Sequence, residues 1–255
     1  MPSICTPDFS DVGNDQGWTC RIWAGSAGFC QPVPLTVHRW RLAAGVRKHG
    51  IPLGRTEALA YVIAGSGTAS ATPPGDGERF SLGAESVLWL SACESLAVAA
   101  GADGLDLLVA RSTGPSPEGG FPPLRKVFAA AELPHLTSTR DTRDRLDLVT
   151  EDVPVAATQI RADRIVYHPG DTAAAHYHTD CHHVFCVLAG SGLLHDGERA
   201  HRLHEGDSAL VGPGEVHWFE NDTDQEFSFV EFWAPPPTQT VWTVTGDRCT
   251  WAAAS

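Results

Sequence analysis

The feature that most restricts what this chain can fold into is that it contains one pattern twice. YVIAGSG at residues 61–67 lies over CVLAGSG at residues 186–192, an offset of 125, and the same offset carries Gly45 onto Gly170. Further on, GERFSLGAESVLWL aligns with AHRLHEGDSALVG and sets Gly83 against Gly206. Several anchors sharing almost one offset are not explained by chance resemblance of Gly-Ser-Gly turns. Two tandem copies of one domain are expected. The runs around those anchors, among them LTVHRWRL, SVLWL, LDLLVARS, HVFCVLAGSG and FSFVEFWA, are short, rich in β-branched and aromatic residues, and bounded by Gly, Pro and Asp. They predict an all-β fold of two barrels or sandwiches. One short helix is expected near residues 126–133, ended by Pro134. The Pro- and Gly-rich stretch 112–124 disfavours helix and ladder alike and reads as the linker.

A hydrophobic content of 42%, with 8 Trp and 10 Phe, is enough for two cores. The balance of 31 acidic against 18 basic residues gives a net charge of -13, which repels nucleic acid and anionic lipid, so neither is expected as a partner. The first residues lack the basic start and apolar run of a secretion signal, and no stretch is long and apolar enough to span a bilayer. Seven cysteines without CxxC spacing fit reduced thiols. A cytoplasmic location is expected.

Nine of the 12 histidines fall between residues 168 and 217, four of them within HYHTDCHH at residues 176–183. Residues two apart on a strand share a face, so His176 and His178 can both point into a barrel while Tyr177 points away. Taken singly, His168, His195, His201 and His204 read as solvent-facing. The spaced set is different. PGDTAAAHYHTDCHHVFCVLAG followed by GDSALVGPGEVHWFEN resembles the two motifs of the cupin superfamily, through Pro169, Gly170, His176, His178 and Gly190, then Gly206, Gly214, His217 and Asn221. Gly212 stands where that family usually has Pro. His183, seven residues before Gly190, occupies the position of the family's Glu. His182 fits a shorter spacing but should face the other way.

The resemblance covers residues 36–110 and 161–234 and implies a bicupin: two tandem double-stranded β-helix (jelly-roll) barrels. The expected division is an N-terminal extension at 1–35, an N-terminal cupin lacking metal ligands at 36–111, a linker with a short helix and a connecting strand at 112–160, a metal-binding cupin at 161–234, and a C-terminal β extension at 235–255. In the first copy Ile51, Leu53, Ala58 and Glu94 stand where His176, His178, His183 and His217 stand, and a mostly apolar set cannot hold a divalent cation. His49 and Glu57 nearby read as surface polar groups.

The ligand set expected from the resemblance is His176, His178, His183 and His217, around one divalent transition metal. Fe(II) is favoured, with Ni, Zn, Co, Cu or Mn as alternatives, because imidazole suits many of these ions. Replacing the family's Glu by His leaves the ion's charge uncompensated, which favours small substrates bearing carboxylate, enol, diketone or phenol oxygens. The leading expectation is a non-haem Fe(II) dioxygenase with O2 as co-substrate. The alternatives are a non-oxidative isomerase, dehydratase, cyclase, decarboxylase or lyase, and a non-enzymatic binding cupin. Catalytic candidates are His182, Tyr167 and Glu231; substrate-contacting candidates are Arg161, Trp218 and Phe219. The β-prone stretches GWTCRIWAG and TQTVWTVTGDRCTW would cover a sheet edge or pair between subunits, and a homodimer is expected on that basis.

Overall fold

The duplicated glycines occupy the same tight place in each half. Gly65 and Gly190 adopt φ of 82° and 73°, and a Cβ on either would sit 2.3 Å from the Gly104 carbonyl oxygen or 2.0 Å from that of Glu226. Only glycine lets two backbones approach that closely at positive φ. Gly45 and Gly170 also match, at 72° and 84°.

The computed structural model describes residues 2–5, 13–15, 17–24, 29, 32–72, 79–114, 120, 124–137, 143–149, 159–237, 239–243 and 252–253. Among these the chain is nearly all β-strand, and no helix is long and apolar enough to cross a membrane. In the first half the strands Val87–Ser91, Ala58–Thr72, Ser95–Ser112 and Leu35–Leu42 lie side by side in that order. In the second half Ser208–Val211, His182–Ala189, Phe227–Ala234 and Arg161–Tyr167 repeat the same order. The repeat in sequence is thus a repeat in topology, and the molecule is a pair of tandem cupin-type β-barrels.

The strand Phe227–Ala234 is buried at every position, and its alternation shows why. Val230, Phe232 and Ala234 point outward, where they join Val184, Cys186 and Leu210 against Leu59, Tyr61, Val87, Trp89, Leu108 and Ala110 of the first barrel. Phe227 and Phe229 point inward and pack with Phe185, Val187 and Phe219. Fully burying a side chain such as Phe232 contributes about 1.5–3 kcal/mol, so this shared layer holds the two barrels together. Period two then puts Glu231 on the inward face, between Phe229 and Trp233.

The first barrel's interior is apolar. Leu53 and Ala58 are buried among Trp40, Val62, Leu88 and Leu107, and Ile51 packs at the edge of that cluster. Glu94 instead lies in solvent beside Arg55, at 3.3 Å. Glu57, expected at the surface, is 2% exposed; its Oε1 accepts from the backbone N–H groups of Gln159 and Ile160 at 2.9 and 3.1 Å, at the entrance to the second barrel.

The helix expected near residues 126–133 is not formed. Leu124–Phe128 is a strand antiparallel to Val87–Ser91, followed by one 3₁₀ turn at Ala130–Glu132. Phe128 is buried in the layer between the barrels, and this tertiary contact overrides the helical propensity of the alanines after it. The first sheet therefore runs past residue 111, and the second gains His135–Thr137 and Asp144–Asp147 before residue 161. Of the expected linker at 112–160, residues 115–119, 121–123, 138–142 and 150–158 lie outside the described residues.

The described strands of the extensions join the two barrels. Ser3–Cys5 pairs with Ser208–Val211 of the second barrel, while Trp18–Ala24 pairs with Leu35–Leu42 of the first. At the other end Thr240–Trp242 pairs with His176–His178. Both extensions cover strands of their own chain, which leaves the homodimer expectation without the strands that motivated it.

Candidate metal centre

His176 and His178 flank Tyr177 on a three-residue strand, and both are buried while Tyr177 is half-exposed. The second-motif histidine is brought to them by backbone pairing: His176 N–H donates to the His217 carbonyl at 3.1 Å, and His217 N–H donates back at 2.8 Å. One ring nitrogen from each of His176, His178 and His217 falls within 4.8 Å of the others.

Each of these rings is held in one tautomer. His176 Nδ1 meets the Ala174 carbonyl at 2.9 Å and His217 Nδ1 meets the Glu215 carbonyl at 3.0 Å. His178 Nδ1 meets the backbone of Gln239 and, at 3.2 Å, Thr240 Oγ1. A carbonyl cannot donate, so each Nδ1 carries the proton and each Nε2 offers a lone pair. Burial holds all three rings well below the usual imidazole pKa, His217 at about 4, so they are neutral at pH 7. A buried cluster of neutral imidazoles with convergent lone pairs is the donor set a transition metal requires.

His183 is buried on the same side, with Nε2 3.1 Å from Glu231 Oε2 and Nδ1 3.2 Å from His217 Nε2. Donation to Glu231 leaves Nδ1 with a lone pair facing that of His217. Two nitrogens on adjacent positions of one ion, each ~2.0–2.1 Å from it, would stand about 3.0–3.4 Å apart. The spacing of His183 and His217 fits a shared cation, although His183 is not within 4.8 Å of the whole trio.

These rings line a cavity of about 310 Å³, together with Arg143, Arg145, Arg161, Phe219, Glu231 and Trp233. Of the residues singled out from sequence, Arg161, Phe219 and Glu231 reach it and three do not. His182 is half-buried on the opposite face of its strand. Tyr167 is buried in the aromatic core, where its hydroxyl accepts from Arg143 Nη1 at 2.8 Å. Trp218 stacks on His195, with ring centroids 4.6 Å apart and planes 2° from parallel. Cys181 is a buried thiol outside the lining, its pKa pushed up to about 12 by burial.

Sequence reading missed Arg143 and Arg145. They alternate with Asp144 on the strand Asp144–Asp147, which lies between His135–Thr137 and Arg161–Tyr167, and on its approach, and face inward with Asp147. Arg145 is ion-paired with Asp163, both buried, and Arg161 reaches Asp147 at 3.4 Å. Asp163 sits directly opposite Glu231 in the ladder. Burial raises the Glu231 pKa against the pull of Arg143 and Arg145. The alternation R-x-R-x-D was the available signal, hidden because the stretch reads as linker.

A duplicated jelly-roll with histidines on the two motif segments of one copy is the arrangement that the cupin resemblance implied. Residues 163–233 match the family model described as a cupin domain, and the two halves of the chain together have the fold of tandem cupin-type barrels. Similar solved structures include the Lactobacillus farciminis oxalate decarboxylase formate complex, with a TM-score of 0.75, 14% identity, and coverage of 92% of this chain and 86% of that one. A Bacillus subtilis oxalate decarboxylase structure, whose description concerns its Mn(II) centres, aligns with a TM-score of 0.74 and 14% identity over 95% of this chain and 79% of that one. No curated protein matches the sequence.

Proposed function

We propose that the protein is a metal-dependent enzyme that cleaves or rearranges a small carboxylic acid without net oxidation, with decarboxylation as the leading reaction. The observation that carries this reading is the meeting of an imidazole cluster with the Arg143 guanidinium in one cavity of about 310 Å³, where Arg145 and Arg161 are paired with Asp163 and Asp147. Guanidinium groups select carboxylates. The similarity to oxalate decarboxylases supports the non-oxidative alternative over the Fe(II) dioxygenase first expected, and Mn(II) joins Fe(II) as the leading ion.

His176, His178 and His217 would hold the ion through Nε2, and His183 would complete the set through Nδ1, its ring oriented by Glu231. A divalent cation there supplies Lewis-acid charge to a substrate oxygen. The protein's own contribution is placement. Arg143, steadied by the Tyr167 hydroxyl, presents its guanidinium to a carboxylate, while Phe219 and Trp233 exclude water around it. Glu231 lines the same cavity at the far side of His183 and is placed to carry a proton to the carbon left by departing CO2.

The test is elemental analysis of protein purified without added metal, followed by CO2 release from a panel of carboxylic acids, oxalate included, with and without air. Oxygen-independent CO2 release supports the proposal. Stoichiometric O2 uptake returns the oxygenase reading, and tight binding without turnover returns the non-enzymatic one.

A further inference from the structure

Among the described residues, the strand Thr240–Trp242 forms a two-stranded sheet with His176–His178. In the ladder His176 faces Trp242, Tyr177 faces Val241 and His178 faces Thr240. It lies beyond residues 163–233, so the segment that matches the cupin domain does not contain it. Its arrival is dictated locally. Prolines at 235–237 cannot donate to the ladder, so the strand Phe227–Ala234 stops and the chain crosses to the cavity wall, which Pro237 helps to line. Beyond the crossing, Thr243 N–H and Oγ1 both donate to the Ala175 carbonyl at 3.1 Å.

A lone two-stranded ribbon is marginal by itself. What fixes this one is contact with the imidazoles. Thr240 Oγ1 stands 3.2 Å from His178 Nδ1, and the Trp242 ring, buried, lies 4.9 Å from the His176 ring, centroid to centroid. Pro237, Gln239, Thr240 and Trp242 also form one wall of the cavity.

We infer that this C-terminal strand is a working part of the metal centre, in which Thr240 positions His178 and Trp242 positions His176, so that a segment outside the family's barrel sets how tightly the ion is held. The inference rests on the proposal that the histidines bind a metal. A hydrogen bond to the remote nitrogen of a ligand imidazole fixes ring orientation and basicity, and its loss typically weakens metal binding about 10–100-fold.

The experiment titrates Co(II) into the full-length apo-protein by calorimetry and follows the visible spectrum, for wild type, Thr240→Val, Thr240→Ser and Trp242→Leu. Valine keeps the strand propensity of the site and removes only the hydroxyl. The expected result is about 10–100-fold weaker Co(II) binding in Thr240→Val, with an altered spectrum, an unchanged apo melting temperature and recovery in Thr240→Ser. Trp242→Leu is expected to weaken Co(II) binding as well. Wild-type affinity and spectrum in both Thr240→Val and Trp242→Leu would overturn the inference alone. Absence of stoichiometric Co(II) binding by the wild type would overturn the metal-centre reading together with it.

Discussion

His183 and His217 face each other nitrogen to nitrogen at 3.2 Å, and the far nitrogen of His183 lies 3.1 Å from Glu231. Two lone pairs so disposed repel unless a cation or a proton lies between them. Replacing His217 by Ala removes the residue common to this pair and to the His176–His178–His217 trio. Loss of stoichiometric metal from His217→Ala is expected, whereas His182→Ala, whose ring is on the other face of the strand, should retain it. Elemental analysis of the purified variants checks both.

Glu231→Gln keeps the shape of the side chain but removes the charge that orients His183. Metal affinity is expected to fall by about 10–100-fold while stoichiometry at saturating metal is kept. With metal saturated, kcat should still fall by about 10²–10⁴-fold if Glu231 also carries the proton. Chelator competition and steady-state kinetics separate the two effects.

Glu57 offers a pH test away from the site. Burial lifts its pKa from 4.5 to about 8, against the pull of the two backbone N–H groups it accepts from. The unfolded chain releases this proton near pH 4.5, while the folded protein keeps it until about pH 8. Folding therefore takes up a proton between these values. Stability contributed by this group falls as pH rises through that window, by at most about 1.4 kcal/mol per pH unit, and levels off above it. Glu57→Gln, which can still accept both hydrogen bonds, should flatten that slope. Urea unfolding at pH 5, 6.5 and 8 would show it, and an unchanged slope would assign the pH dependence to other groups.

The glycine pair gives a prediction about the repeat. Gly65→Ala and Gly190→Ala should each cost roughly 3 kcal/mol or more, since the new methyl would meet a carbonyl oxygen as well as positive φ. Gly170→Ala meets nothing within 4 Å and should cost only about 1–2 kcal/mol, the price of a left-handed alanine. Thermal unfolding of the three variants tests the ranking.

Much of the fold was legible because the repeat is written in residues whose backbone demands are strict. Gly45, Gly65, Gly170 and Gly190 all sit at positive φ, and an aligned glycine requirement is a topological signal. The shared facing of His176 and His178 follows from strand parity, whereas His183 was reached by its place seven residues before Gly190. Parity carried on from His178 would have favoured His182, and the break at residues 179–181 between the two strands resets it. Other parts were not legible, because they depend on contacts distant in sequence. Arg143 and Arg145 enter the cavity only because Asp144–Asp147 pairs with Arg161–Tyr167 in the second sheet. Thr240 meets His178 across 62 residues. Phe128 becomes a strand residue because a neighbouring barrel waits to bury it. Glu57, by itself, looks like any charged loop residue until the backbone of Gln159 and Ile160 is brought to it.

The apolar layer between the barrels also governs modularity. Leu59, Tyr61 and Trp89 from one copy and Val184, Val230 and Phe232 from the other bury one another in that layer. Excising the histidine-bearing copy would turn this seam into an adhesive outer surface, and the fragment would self-associate before it could work. The copy without the clustered histidines supplies half of that seam, so neither half is expected to stand alone.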